Sequence, residues 1–418
     1  MVIIYRQEIM ADISLFTAQP KAKFYEELFA HLDLSCIPSA AAKTGRKGFD
    51  SHSFICAFIV MKAEFFTQIT DLLDYLNNNL IIAYYCGFNI MKPLPSYWTF
   101  ARFIKNFDHA LLQKLMQSEV LKATRLSLID TSFIALDATP VHANTSQNNP
   151  KSFKTNKFSK NKQPKADKDC RLGVHTASNQ HNERKFEYYW GYKNHIVVDC
   201  ISGLPIFEIT TPANIYDSTV ALDILSQTNE FLSLKECSFI ADKGYDVKAI
   251  YNTVRNVYEG DCFIPLNKRN TKDVKLLPMG VPLCDAGFAL NRDGKCHDRG
   301  RIRQKFCCPF KLSKNDTACT CNHPNYHNGK KHRGCVKWVT IPDDYRLSID
   351  RTSIQFKSVY ALRTEVERYN SRFKQTGCER VFVRNEKSVA NLNTIAHITL
   401  LAVALATVIT QKMSPTDV

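Results

Sequence analysis

Asp137, Asp242 and Glu367 are the residues of this chain best placed for phosphoryl chemistry. Carboxylates that converge from separate elements can hold two hard divalent cations. One cation then activates an attacking oxygen while the other stabilises the leaving one. Asp137 ends an apolar run, SLIDTSFIAL, and Asp242 ends another, CSFIA, just before Gly244 and Tyr245. Open α/β sheets gather their sites at such strand ends. Either aspartate alone also reads as a turn former or a helix cap.

Periodicity singles out the third carboxylate. In YALRTEVERYNSRFK, counting about 100° per residue from Tyr360, Arg363 falls at about −60°, Glu367 at about −20° and Lys374 at about −40°. Leu362, Val366, Tyr369 and Phe373 fall at roughly 180–240°, on the opposite face. One face packs, and the other presents a phenol, two cations and a carboxylate. A solvated amphipathic helix gives the same pattern. Glu365 lies off the stripe, which leaves Glu367 as the preferred ligand.

The elements that hold these residues follow from pattern. Residues 1–125 read as helical, because 21–32, 53–66, 67–76, 96–107 and 110–121 carry apolar residues three and four apart. Ser96 after Pro95 suits an N-cap, and Gly45-Arg46-Lys47-Gly48 is a basic loop. Residues 127–141 switch to a strand pattern. The polar segment 142–185, with lysines at 151, 154, 157, 160, 162, 165 and 168, reads as a loop able to track DNA. A hairpin follows from Tyr188, turning at Ile201-Ser202-Gly203. Its aromatics, Tyr188, Tyr189, Trp190 and Tyr192, read as packing, with stacking on an unpaired base as the functional alternative. His142 could approach the acidic site, whereas His195 in a strand reads as structural. Asp217 is placed to cap a helix through Phe231. Short strands at 237–241 and 262–266 flank a helix at 247–257, and helices return at 354–374 and 389–411. Strands alternating with helices point to a mixed α/β core.

The chain has 418 residues, enough for two to four domains, and 44% of them are hydrophobic. Wholesale disorder is excluded. A formal net charge of +15 makes a polyanion the first partner to consider. The N-terminus lacks a basic segment followed by a long apolar one. The apolar run 395–410, interrupted by His397 and Thr399, falls short of the ~18–20 residues a spanning helix needs and reads as a buried helix. Fifteen cysteines without a leader imply a reducing compartment and thiols or metal ligands rather than disulfides.

The spacing Tyr360-x2-Arg363-x3-Glu367-x6-Lys374 resembles the Y-R-E-K signature of bacterial insertion-sequence transposases of the DDE class. LDATPV resembles the segment around their first aspartate, and TPANIYDS followed by ADKGYD the approach to their second. GFDSHSFICAFIVMK, GFNI and PSYWTFARF are similar to the helical region that precedes the core in one branch. RIRQKFCCP and RTEVERYNSRFK resemble its later blocks. The resemblance implies an α/β (α+β) fold with an RNase H-like catalytic core. Asp137, Asp242 and Glu367 would then bind two Mg²⁺ (or Mn²⁺) ions, and Tyr360, Arg363 and Lys374 would contact DNA phosphates. The implied layout is a helical N-terminal domain at 1–125 for end binding or dimerisation and a first core segment at 126–267. A Cys-rich insertion follows at 268–345, and closing core helices at 346–418. The implied partner is double-stranded DNA, as inverted-repeat ends and target, engaged by a homodimer in the bacterial cytoplasm at the nucleoid, with no membrane.

The insertion holds Cys284, Cys296, Cys307, Cys308, Cys319, Cys321 and Cys335, with His297, His323, His327 and His332 among them. Thiolates and imidazoles are the natural ligands of structural Zn²⁺. The spacing is not a clean pair of C-x2-C knuckles, so reduced cysteines in a small β-rich insertion remain the alternative. Two other functions compete with transposition. One is an RNase H-like nuclease or domesticated relative that lacks strand transfer. The other is a zinc-containing DNA-binding protein without catalysis, which the intact acidic set argues against.

Overall fold

The computed structural model describes residues 17–39, 48–154, 158–178, 184–267, 277, 281–298, 301–310, 321, 334–340 and 345–413. Met1–Pro265 and Thr352–Val418 form one compact unit, and Leu266–Arg351 forms a second.

The first unit begins with α1 (Pro20–Ala30), α2 (Ser51–Ala63), α3 (Ile69–Asn78), α4 (Leu80–Tyr85), α5 (Tyr97–Asn106) and α6 (His109–Arg125). α2 is buried continuously from Ser53 to Lys62, as befits a helix enclosed on all sides. Asp50 caps it by accepting the His52 N–H. The six residues of α4 are too few to show a helical period in the sequence. Ser96 does precede α5, but its hydroxyl meets Thr99 Oγ1 at 3.1 Å rather than a backbone N–H. Of the basic GRKG loop, only Gly48 lies within the described residues.

The central sheet contains β1 (Phe133–His142), β2 (Arg171–Ser178), β3 (Arg184–Asp199), β4 (Pro205–Pro212), β5 (Ser238–Ala241) and β6 (Asp261–Phe263). Its order is β2-β3-β1-β5-β6, with β4 also on β3. β3 is long enough to pair with β2 over its first half and β4 over its second, both antiparallel. β1 is antiparallel to β3 and parallel to β5, which is parallel to β6. α8 (Asp217–Phe231) leads into β5, and α9 (Lys248–Asn256) joins β5 to β6. The hairpin turn forms where expected, with Gly203 at φ 66°.

Two local expectations change. The polar segment after β1 is not a plain loop: it contains α7 (Pro150–Lys154) and strand β2. Asp167 anchors it, buried at 2% exposure and accepting the Tyr192 O–H at 2.8 and 2.9 Å. β2 is an edge strand, so its apolar alternation is short, Leu172 and Val174. Asp217 is the first residue of α8, not its cap; Tyr216 precedes it, and the carboxylate pairs with Lys193 at 2.8 Å.

The unit closes with α11 (Ile354–Ala361), α12 (Thr364–Phe373), a π turn at Lys374–Cys378 and α13 (Glu386–Met413). α13 packs on α6, α2 and β4. Its stretch Glu386–Thr410 is long and apolar enough to cross a membrane, yet 67% of the apolar window is buried in the fold. Asn391, Asn393, Thr394 and His397 on it are fully buried, which makes it a core helix. The sequence places this helix at 389–411, and the structure extends it by three residues at its start and two at its end.

In the second unit, β7 (Asn291–Asp298), β8 (Arg301–Cys307) and β9 (Val336–Thr340) form an antiparallel sheet in that order, followed by the short α10 (Tyr345–Ser348).

Candidate active site

Strand register brings the two aspartates together. β1 and β5 run parallel with Phe133 beside Ser238 and Leu136 beside Ala241. The next step along both strands is Asp137 beside Asp242. Adjacent strands lie about 4.8 Å apart, and residues in register leave the same face. The 105-residue separation of the aspartates is therefore the register offset of the two strands. Asp242 stands where β5 ends and accepts the Gly244 N–H at 2.6 Å, capping a 3₁₀ turn. A Cβ on Gly244 would come within 2.8 Å of that carboxylate, so a larger residue there would shift the Asp242 side chain.

Burial pushes the Asp137 carboxyl up to about 6. Arg363 and the Ala138 N–H oppose that rise, while Asp242 and Asp217 add to it. Asp217 thus belongs to the acidic neighbourhood, although its sequence reading was only structural.

The third element is α12. Val366, Tyr369 and Phe373 are at most 1% exposed and form its packing face, as the periodicity predicts. Residues 354–374 are not one continuous helix. Between α11 and α12 the N–H groups of Leu362, Arg363 and Glu365 each bond three residues back, tightening the turn. The polar stripe survives this break. Tyr360 remains within electrostatic reach of Arg363, Asp242, Glu367 and Asp137, and Arg363 pairs with Glu367 one turn along. Glu365 pairs with Arg368 instead, off the stripe. Lys374 lies near the His142 ring.

Sequence reasoning missed Asn370. Its Nδ2 donates to Asp137 Oδ2 at 3.0 Å, tying the Glu367 helix to the first aspartate. The signal was present: Asn370 falls at about −80° on the wheel that places Arg363 at about −60°. Burial works against the Arg363 charge, yet Asp137, Tyr360, Glu367 and Asp242 together hold its pKa above the ordinary guanidinium value. Burial also raises the Tyr360 phenol, which stays a proton donor.

Three buried polar atoms around these acids lack hydrogen-bond partners: Tyr245 Oη, Arg363 Nε and Asn370 Oδ1. Buried groups of this kind are costly unless something completes them. The donor set is carboxylate and carbonyl oxygen, which suits a hard divalent cation rather than a soft one. Among the described residues, no three His, Cys, Asp or Glu side chains stand at ligand spacing. Glu367 remains 52% exposed and engaged with Arg363. The site therefore joins Asp137 to Asp242 by register and to α12 through Asn370, with Arg363 between the acids.

A buried relay holds α12 in place. Tyr369 O–H donates to His397 Nδ1 at 2.5 Å, and His397 Nε2 reaches Asn194 Oδ1 at 3.0 Å. Asn194 Nδ2 donates to Glu208 Oε2 at 2.7 Å, and Thr210 and Thr394 also donate to Glu208. Burial lowers the His397 pKa to about 3, so the ring is neutral and passes one hydrogen bond on each side. Lys62 on α2, itself buried, donates to Thr376 O at 3.1 Å in the turn after α12. His195 is buried against Thr211, and Tyr189, Trp190 and Tyr192 are at most 5% exposed and pack, while Tyr188 is half-buried with Lys160 Nζ 3.4 Å from its ring centroid. His142 stacks on Tyr189, with ring centroids 4.9 Å apart.

In the second unit, Cys284, Cys307, Cys308, Cys321 and Cys335 are buried, and Cys296 is half-buried on β7. His297 is exposed on β7. Cys319, His323, His327 and His332 lie outside the described residues.

A sheet in which parallel β1 and β5 carry acids side by side, flanked by antiparallel β3 and followed by a packed helix, is an RNase H-like core. Residues 129–402 match the family described as the transposase DDE domain, and the chain belongs to that family. It is a transposase of the DDE type, and such enzymes use divalent metal ions, generally Mg²⁺ or Mn²⁺. Among solved structures, the chain is similar to one described as a cryo-EM structure of the piggyBac transposase synaptic complex with hairpin DNA. The identity is 10% and the TM-score 0.40, over 97% of this chain and 76% of that one. No curated protein sequence matches the chain.

Proposed function

We propose that this transposase cleaves phosphodiester bonds at inverted-repeat ends of an insertion sequence and joins the freed 3′-hydroxyl to target DNA. Asp137, Asp242 and Glu367 are the carboxylates assigned to two Mg²⁺ or Mn²⁺ ions. The observation that carries this reading is the parallel register of β1 and β5, which ends at Leu136 beside Ala241, one residue before Asp137 and Asp242, with Asn370 of the Glu367 helix bonded to Asp137. When bound, the cations would supply Lewis-acid charge at the scissile phosphate and at the attacking oxygen. Asn370 orients one Asp137 oxygen. Arg363 brings a fixed positive charge beside the acids, held by its contact with Glu367. Tyr360 offers a phenolic donor and Lys374 a second cation to the DNA backbone. Positioning and charge neutralisation carry such a reaction, with little covalent chemistry asked of the protein.

The N-terminal helices and the exposed lysines Lys151, Lys160, Lys162, Lys165 and Lys168 are assigned to DNA affinity, and the DNA-bound form to a homodimer, acting in the cytoplasm at the nucleoid. The test is incubation with DNA carrying the native ends and Mg²⁺. Asp137→Asn, Asp242→Asn and Glu367→Gln should each bind ends and fail to cut them. Normal cleavage by any one removes that residue from the site. Failure of the wild type to join pre-cut ends while still cutting would reassign it as a nuclease.

A further inference from the structure

The cysteines of the second unit are not scattered. β8 and β9 pair antiparallel with Phe306 beside Lys337 and Cys307 beside Val336. The next step of that ladder sets Cys308 opposite Cys335. Cys335 packs with Cys284 in a core that also holds Leu290 and Phe306. Cys308 packs with Cys321, against Phe310. Phe310 in turn meets Phe288 edge-on at 5.0 Å, and the Phe288 N–H donates to Cys284 Sγ at 3.3 Å. Register and packing thus link four cysteines, Cys284, Cys335, Cys308 and Cys321, into one group. Cys335 lies within electrostatic reach of the other three.

We infer that Cys284, Cys308, Cys321 and Cys335 form a structural zinc site. Four thiolates are a standard closed donor set for Zn²⁺. The turn at Cys284 is shaped for a metal-bound thiolate. Gly287, at φ +85°, lets the chain fold back so that Gly287 N–H bonds Cys284 O at 3.0 Å and the Phe288 N–H faces the sulfur. Among the described residues no three donors yet stand at ligand spacing, so binding would draw the neighbouring sulfurs inward. The unit has reason to need such a staple: among the described residues, its larger core cluster buries Leu290 and Phe306 besides cysteine, with Val281 and Val339 packed against it.

The same geometry excludes Cys307 and Cys296. Cys307 alternates to the opposite face of the ladder from Cys308. Cys296 pairs with Arg303, close to the β7–β8 turn. It stands about five residues, roughly 16 Å, along the ladder from the Cys308 end. This assignment is independent of the acidic site, and its test involves no DNA. The full chain, purified without chelator, should carry about one zinc per chain by elemental analysis. A strong chelator should release it and expose about four thiols to a thiol reagent. Cadmium in place of zinc should give an intense ultraviolet sulfur-to-metal band. Cys308→Ser or Cys335→Ser should lose the metal, whereas Cys296→Ser and Cys307→Ser should keep it. Zinc below about a tenth of an equivalent in the wild type overturns the site without reference to any variant. So does equal zinc loss from Cys296→Ser, or chelation that frees no thiols.

Discussion

Asp137→Asn should stabilise the metal-free protein, and the size of the effect follows from the site. Burial raises the Asp137 carboxyl from its ordinary 3.8 to about 6. The folded state therefore binds this proton more tightly than the unfolded chain does. Below pH 3.8 both states are protonated and no penalty exists. As pH rises through 4 to 6 the unfolded chain ionises first, and folding stability falls. A shift of this size costs about 3 kcal/mol at pH 7.5 and about 1 kcal/mol at pH 4.5. Asparagine removes the charge and keeps an oxygen to accept the Asn370 bond. In a chain of this length the gain at pH 7.5 corresponds to a melting-point rise of about 3–5 °C. The assay is thermal unfolding in EDTA at both pH values. Added Mg²⁺ should then stabilise wild type and narrow the gap. A variant that melts lower than wild type at pH 7.5, or a gap that does not shrink at pH 4.5, refutes the claim that Asp137 is held at an energetic cost in the metal-free state.

Asn370→Ala deletes one hydrogen bond to a carboxylate, worth about 1.5–3 kcal/mol. Single-turnover end cleavage should fall about ten- to a hundredfold with end binding unchanged; a rate within about twofold of wild type would show that Asn370 positions nothing that matters to the reaction. Glu208→Ala strands the donors Asn194, Thr210 and Thr394 in the core and should cost about 3 kcal/mol or more in denaturant unfolding. Glu208→Gln, which keeps the acceptor oxygen, should cost less than half as much, and equal losses would mean that the relay is not held by these bonds.

Local chemistry wrote much of this protein into its sequence. The apolar face of α12, its polar stripe and the end of β5 at Asp242 follow from periodicity, because each depends on neighbours within a few residues. Asp137 does not end its strand as expected but sits in the middle of β1, which runs on to His142 because β3 pairs with it that far. Hidden features are those in which a residue's role depends on a partner far along the chain. Asn370 is an ordinary helix residue until β1 places Asp137 against it 233 positions away. β2 carries only a short alternation, Leu172 and Val174, inside a lysine-rich segment, because an open edge tolerates polar side chains. The helix at 389–411 is legible, but the burial of Asn391, Asn393, Thr394 and His397 on it is explained only by the acceptors and donors that fold around them. Seven cysteines could be counted in residues 268–345, but only the β8–β9 register distinguishes Cys308 from Cys307. Periodicity reports which face of an element is dry, and tertiary packing alone decides what that face, or its opposite, meets.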